Sequence, residues 1–380
     1  MYVKQIINRK PADLATALAA IQSDATDLLL VFGSLDHFAT PGLSETLSKA
    51  FPGAVLLGCS TAGEITGDGV DDGTCCVTAI NFNDTCITQG STPLNGMDDS
   101  FAAGERLGQK ISVDGLKAVL LFGPGVQVNG SALVNGMTSV IGSSIPITGG
   151  LAGDGGAFKE TFTLGMDGAC ADRVVAVGLS GSGLNFAHGS FGGWEPFGPT
   201  RKVTRCAGNI LYELDGEPAL DIYRRYLGDH AKDLPASGLL FPFSMLGEDH
   251  SAVGLIRTIL GIDEANGSLI LAGEIVPDGY LRLMHASTDK LVNGAEAAAE
   301  AAASMMRTPG ESLAILVSCV GRKLVMGGRV DEEVEAVGDV LGHNAVLTGF
   351  YSYGEISPFT PGASCKLHNQ TMTITCLSEG

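Results

Sequence analysis

Three stretches of the chain carry the polar groups best suited to hold a small molecule: G-C-S-T-A-G-E-I at 58–65, T-G-G-L-A-G-D at 148–154 and G-F-Y-S-Y-G-E-I at 349–356. Each closes on a glycine followed by a carboxylate, namely Glu64, Asp154 and Glu355. Ser60, Glu64 and Asp154, with Tyr351, Tyr353 and Glu355 of the third copy, are hydroxyls, aromatics and carboxylates of the kind that line a small polar ligand's cavity. Glycine turns also cradle phosphates, but these do not have that form. No G-x-x-x-x-G-K-[ST] is present, and no G-x-G-x-x-G opens a helix with an acid about 20 residues on. The closing carboxylate would also repel a phosphate. A scaffold role, with small residues at tight strand crossings and carboxylates capping backbone N–H groups, accounts equally well for any one copy alone.

Histidine offers a second kind of chemistry. His188 lies in N-F-A-H-G-S-F-G-G-W-E-P-F-G-P, beside Phe186, Phe191, Trp194 and Phe197, with glycines that would let a flat ligand approach the backbone. One imidazole on such a wall suits the proximal ligand of a haem iron. A core histidine satisfied by a carbonyl is the alternative, and the residues alone leave both open. His37, past the first apolar run in S-L-D-H-F, is the second candidate, because α/β sites gather at the carboxyl ends of strands. No H-E-x-x-H or other paired spacing supports a zinc site. Cys59 sits beside two hydroxyls and is the candidate nucleophile of an enzymatic reading, with a carboxylate as the other catalytic option. No partner signature or G-x-S-x-G elbow accompanies it, and a buried structural thiol is the expectation.

The elements that must position these residues repeat. Apolar strand-like runs at 28–34, 118–125 and 314–321 each precede a helix of about ten residues, a second strand, a glycine motif and a closing strand. The helices are expected from Pro41 to about Phe51, over 131–142 and over 331–341, and the closing strands at 74–81, 173–179 and 371–377. Strands alternating with helices predict an α/β fold of mixed sheets. Between the second and third units, 207–228 reads as a strand, a D-G-E-P turn and an amphipathic helix presenting Leu220, Tyr223 and Leu227. An Ala-rich helix follows at 293–306. With 380 residues, two mixed α/β domains are expected, 1–215 and 216–380, divided near Gly216.

Charged residues make up 17% of the chain, against 45% hydrophobic, and the formal net charge is −19. That charge repels phosphate backbones and anionic membranes, so neither nucleic acid nor membrane is an expected partner. No apolar run is long enough to span a bilayer, and the first 27 residues lack a signal peptide's apolar core. Nine scattered cysteines without a C-x-x-C suit a reducing compartment, so the cytoplasm is the expected location.

Taken together, the three motifs and the junction V-T-R-C-A-G-N-I-L-Y-E-L-D-G-E-P-A-L-D-I-Y resemble the FIST family of bacterial sensory proteins, an N-type region followed by a C-type region over nearly the whole chain. The resemblance implies a non-enzymatic signal-input module that binds a small ligand such as an amino acid or its derivative. Stand-alone members look like nitric-oxide-sensing haem proteins, which implies haem b held non-covalently, with His188 as iron ligand and Trp194 and Phe191 beside it. Nitric oxide would then weaken the histidine bond and free the segment around 189–198. No kinase or cyclic-di-GMP region is recognisable in the chain, so output is expected through a separate histidine kinase or cyclic-di-GMP enzyme, with an oligomer also open. The alternative within the family is a haem-free sensor holding a small polar metabolite between the third motif and the first two.

Overall fold

The computed structural model describes residues 1–111, 113–247, 250, 252–306, 311–360 and 362–380. Three units follow one plan: an edge strand, a helix, a central strand, a helix, a parallel strand, a hairpin and a closing strand. The first unit contains β1 (Tyr2–Asn8), α1 (Leu14–Leu18), β2 (Leu28–Gly33), α2 (Leu35–Phe38), α3 (Leu43–Ala50), β3 (Val55–Ser60), the β4–β5 hairpin (Glu64–Thr66 and Gly69–Asp71) and β6 (Cys75–Asn81). The second contains β7 (Cys86–Pro93), α4 (Ser100–Ile111), β8 (Leu116–Gly123), α5 (Gly130–Ile141), β9 (Ile147–Leu151), the β10–β11 hairpin (Thr163–Gly165 and Gly168–Cys170) and β12 (Arg173–Ser180).

The third unit begins with β13 (Leu184–Phe191) and is then interrupted by an insert. The insert comprises β14 (Glu195–Ala207), β15 (Ile210–Leu214), β16 (Glu217–Pro218), α6 (Ala219–Leu227), β17 (Phe243–Leu246), β18 (Ala252–Arg257), β19 (Ile259–Asp263), β20 (Ser268–Leu271) and β21 (Tyr280–His285). The unit resumes with α7 (Thr288–Met305), β22 (Ser312–Cys319), α8 (Val320–Met326), α9 (Asp331–Leu341), β23 (Ala345–Ser352), β24 (Gly354–Pro358), β25 (Cys365–His368) and β26 (Met372–Glu379).

Each unit builds four strands of a six-stranded sheet and receives the last two from another unit. The strand orders are β1-β6-β2-β3-β10-β11, β7-β12-β8-β9-β24-β25 and β13-β26-β22-β23-β4-β5. Unit one thus takes the hairpin of unit two, unit two that of unit three, and unit three that of unit one. The exchange closes a ring with threefold pseudosymmetry. Among the described residues only β2–β3, β8–β9 and β22–β23 pair in parallel, so the sheets are mixed as expected. The insert forms a separate antiparallel sheet with its own core, in which Leu220, Tyr223 and Leu227 of α6 pack against Leu211, Phe243 and Leu283. A division at Gly216 falls in the turn between β15 and β16, and among the described residues three of the four sheets draw strands from both sides of it.

Sheets meet face to face at the centre, where Phe32, Phe122 and Phe350 have ring centroids 4.8–5.7 Å apart. One glycine from each motif makes the parallel pairs possible. A Cβ built on Gly58, Gly149 or Gly349 would lie 1.9, 2.0 and 1.9 Å from the carbonyl oxygen of Val31, Leu121 or Leu316 on the neighbouring strand. Sequence repetition here records a shared steric need.

Candidate ligand-binding site

The hairpin exchange brings the three motifs together. Ala62 N donates to Tyr351 O and Tyr351 N to Gly63 O, both at 2.8 Å, which joins motif one to motif three. Gly153 N donates to Ser60 O at 2.8 Å and Gly155 N to Thr61 O at 3.1 Å, joining motifs one and two, and Tyr353 N reaches Leu151 O at 3.1 Å to join two and three. Beside this junction lies a cavity of ≈ 750 Å³. Its walls are Ser34 just past β2, Asp36 of α2, motif one (Thr61 to Glu64), Asp72, Asp154 of motif two with the following Gly155 and Gly156, Leu239 of the insert, and Val320 and Lys323 of α8.

The motif carboxylates are held by the protein itself. Glu64 accepts from the Thr61 hydroxyl and, at 2.8 Å each, from Thr74 N and Oγ1. Glu355 repeats the arrangement, accepting from Ser352 Oγ at 2.7 Å, Thr371 Oγ1 at 3.1 Å and Thr371 N at 3.2 Å. Both carboxylates tie the turn after the second strand to the start of the closing strand. Burial pushes both acids up, Glu355 to about 7, although their hydrogen bonds work in the opposite direction. Asp154 accepts from the backbone N–H groups of Phe158, Lys159 and Glu160 at 2.7–3.0 Å and from the Tyr353 hydroxyl. Burial raises its affinity for a proton, but Tyr353 and the three N–H groups together hold the carboxyl below its usual range.

The ligand residues expected from the sequence therefore divide in two. Glu64 and Asp154 border the cavity, while Ser60, Tyr351, Tyr353 and Glu355 lie outside its lining and have internal partners. Ser60 Oγ donates to Gly153 O and accepts from Phe162 N, at 2.7 and 2.9 Å. Tyr353 stacks on Phe158, with centroids 4.0 Å apart. Tyr351 donates to Glu333, which also accepts from Ser318 Oγ at 2.9 Å and pairs with Arg322 at 2.7 Å, both members of that ion pair being fully buried. Burial and the neighbouring Glu333 drive the Tyr351 hydroxyl well up.

Groups that sequence reasoning missed complete the cavity. Lys323 Nζ donates to Ala62 O at 3.0 Å, pairs with Asp72 and lies 5.3 Å from the Tyr351 ring centroid. Gly63, at φ +136°, leaves room for it, since a Cβ there would come within 2.4 Å of Nζ. The signal for Lys323 was its place just past the carboxyl end of β22. The short helix that carries it was not foreseen.

The residues assigned to haem do not converge. His188 sits on β13 opposite Thr375 and is buried, and its Nδ1 has no hydrogen-bond partner among the described residues. Phe191, three positions along the same strand, points to the other face and is 46% exposed. Trp194 packs with Met284, Leu291 and Met326, and its indole N–H donates to Gln370 O at 2.9 Å. The glycines of this segment serve a helix rather than a flat ligand. A Cβ on Gly189 would meet Ala298 O of α7 at 2.0 Å, and one on Gly193 would meet Lys290 O at 2.1 Å. An unpartnered nitrogen is thus present without the wall that would hold a porphyrin, and His188, Phe191 and Trp194 do not fit haem in this arrangement.

His37 does not offer a free ligand either, for its ring nitrogens meet Ser34 Oγ at 2.9 Å and Asn8 Oδ1 at 3.0 Å. Among the described residues no group of three or more His, Cys, Asp or Glu is placed to hold a metal ion. Cys59 is fully buried, and burial drives its thiol far from the thiolate form a nucleophile needs.

A FIST N domain model matches residues 27–217, and a FIST C domain model matches residues 219–358. Over 89 residues the chain is 35% identical to an uncharacterized protein of Methanocaldococcus jannaschii, a match covering 23% of this chain and 17% of that protein. The chain thus aligns with less than a fifth of that relative's length. A crystal structure of a cyanuric acid hydrolase from A. caulinodans overlaps 100% of this chain and 98% of its own, at 10% identity and a TM-score of 0.40, too distant to carry an argument. With both models placed in order along the chain, the protein belongs to the FIST family.

Proposed function

We propose that this chain is a non-enzymatic sensor of an amino-acid-like zwitterion, which binds in the cavity beside the motif junction. The observation that supports this reading is the charge pattern of the walls, where among the described residues Lys323 is the cation beside four carboxylates, Asp36, Glu64, Asp72 and Asp154. Glu64 and Asp154 have internal donors, so the groups open to a ligand are Lys323, Asp72 and Asp36. A lysine ammonium has three donors, and two are used, by Ala62 O and Asp72. The third suits a ligand carboxylate, and Asp36 and Asp72 suit its ammonium. Output would pass to a separate partner, a histidine kinase or a cyclic-di-GMP enzyme, in the cytoplasm. Nitric oxide sensing through haem draws no comparable support, because His188, Phe191 and Trp194 share no face.

The test is a thermal-shift screen against the common amino acids, repeated on Lys323→Gln and Asp72→Asn. At about 100 times its Kd a ligand adds about 2.7 kcal/mol to stability, enough to move the melting temperature by several degrees. A shift that both variants abolish supports the proposal. No shift with any amino acid, or one that both variants retain, overturns it.

A further inference from the structure

A second cavity, of ≈ 300 Å³, shares no lining residue with the first and lies where the insert meets the ring. Its floor is Arg257, the last residue of β18. Arg257 is 3% exposed, and its guanidinium packs against the backbone of Gly273, where a Cβ would come within 2.9 Å of Nε. Nε donates to Glu274 O at 3.1 Å, and Nη1 to Ile256 O and Leu367 O at 3.3 Å. These are carbonyls, which orient the group without neutralising it. Among the described residues no carboxylate lies within 4.0 Å of Arg257, whereas Arg322, equally buried, has Glu333 at 2.7 Å.

A buried charge with no carboxylate in contact is costly, and proteins ordinarily pair it. The rest of the cavity shows what kind of pair would fit. Met245 and Leu255 of the insert make an apolar wall, Ser131 of α5 adds a hydroxyl, and the exposed Lys366 of β25 puts a second cation at the mouth. Glu274, the carboxylate among the lining residues, is exposed and turned toward Asn129 Nδ2 at 3.4 Å. Burial lowers Arg257 to about 10 against a smaller opposing pull from the Glu274 charge, which still leaves it cationic at neutral pH.

We infer that this cavity binds a small monocarboxylate with an apolar body, its carboxylate on Arg257 and its hydrocarbon against Met245 and Leu255. The site joins three parts of the molecule, since Arg257 belongs to the insert, Ser131 to unit two and Lys366 to unit three. Occupancy therefore fastens the insert to the ring. The inference is independent of the reading of the Lys323 cavity, because the two sites share no residue.

The experiment is calorimetric titration of the full chain with isovalerate and benzoate, and with their neutral amides. A carboxylate should bind, and the matching amide should bind at least about tenfold more weakly, since it forgoes the charge-assisted hydrogen bonds to the guanidinium. Arg257→Lys, which keeps the charge and loses the fork, should weaken binding severalfold. Arg257→Met should weaken it by about tenfold or more. Lys323→Gln should leave it unchanged. The amide comparison needs no variant, so misfolding of an Arg257 variant cannot mask the answer. Absence of binding at millimolar carboxylate, equal affinity for acid and amide, or full affinity in folded Arg257 variants would each overturn the proposal.

Discussion

Glu355 and Glu64 show what a carboxylate does when its solvent is replaced by two hydroxyls and an N–H. Each ties a hairpin to the strand that follows, and each is raised by burial. For Glu355 the sign can be worked out. Its carboxyl moves from 4.5 in the unfolded chain to about 7 in the folded one, so the native state holds the proton more tightly. Its contribution is complete below pH 4.5 and is lost as pH rises to 7, a change of about 3 kcal/mol at 1.36 kcal/mol per unit. Asp99 and Glu379, both held down to about 2, have their own transitions at lower pH. The quantity to measure is therefore the difference in urea-unfolding free energy between the parent and Glu355→Gln at pH 5, 6, 7 and 8. The parent should lose ground to the variant up to pH 7 and then run parallel to it. Parallel curves across the whole range would show that Glu355 does not titrate in this window.

Strands and helices of the three units were legible because each is long enough to carry its own pattern. Apolar runs such as L-L-L-V-F-G became β2, and 331–341 became α9 with the expected bounds. The hairpins were not legible. Thr163–Gly165 and Glu64–Thr66 are three residues long, and their partners, β3 and β23, lie about 100 and 280 residues away, so no local periodicity marks them. The stretch around His188 was misread for a related reason: its glycines are explained by the approach of α7, a helix more than 90 residues downstream. Glycine thus needs its neighbours to be interpreted, which gives a prediction. Gly349→Ala places a methyl 1.9 Å from Leu316 O, a backbone atom inside a sheet, and should cost more than about 3 kcal/mol or abolish soluble expression. Gly338→Ala lies within α9, where the nearest side-chain atom, Leu347 Cδ1, is at an ordinary 3.7 Å. Helix propensity should make it stabilising by about 0.5–1 kcal/mol. Denaturant midpoints of the two variants check this, and a tolerated Gly349→Ala would mean that the β22–β23 pair is more widely spaced than described.

At the scale of the molecule, the exchanged hairpins decide what can fold alone. A cut at Gly216 respects the limits of the two family models, which meet between residues 217 and 219. It also strips β24–β25 from β9 and β4–β5 from β23, and it opens the insert sheet between β15 and β16. Each fragment would then show bare strand edges next to apolar surface, since Phe32 and Phe122 would lose Phe350. Separately expressed 1–216 and 217–380 should therefore be insoluble or aggregated. Co-expressed, they should recover a soluble one-to-one complex, because every strand again has its partner. The full chain should unfold its three ring sheets in one transition, since no unit can open without exposing an edge of another. Size-exclusion chromatography of the fragments, apart and together, and a calorimetric scan of the intact chain give the measurements. A fragment that is monomeric, soluble and cooperatively folded by itself would show that the hairpin exchange is not what holds the two halves together.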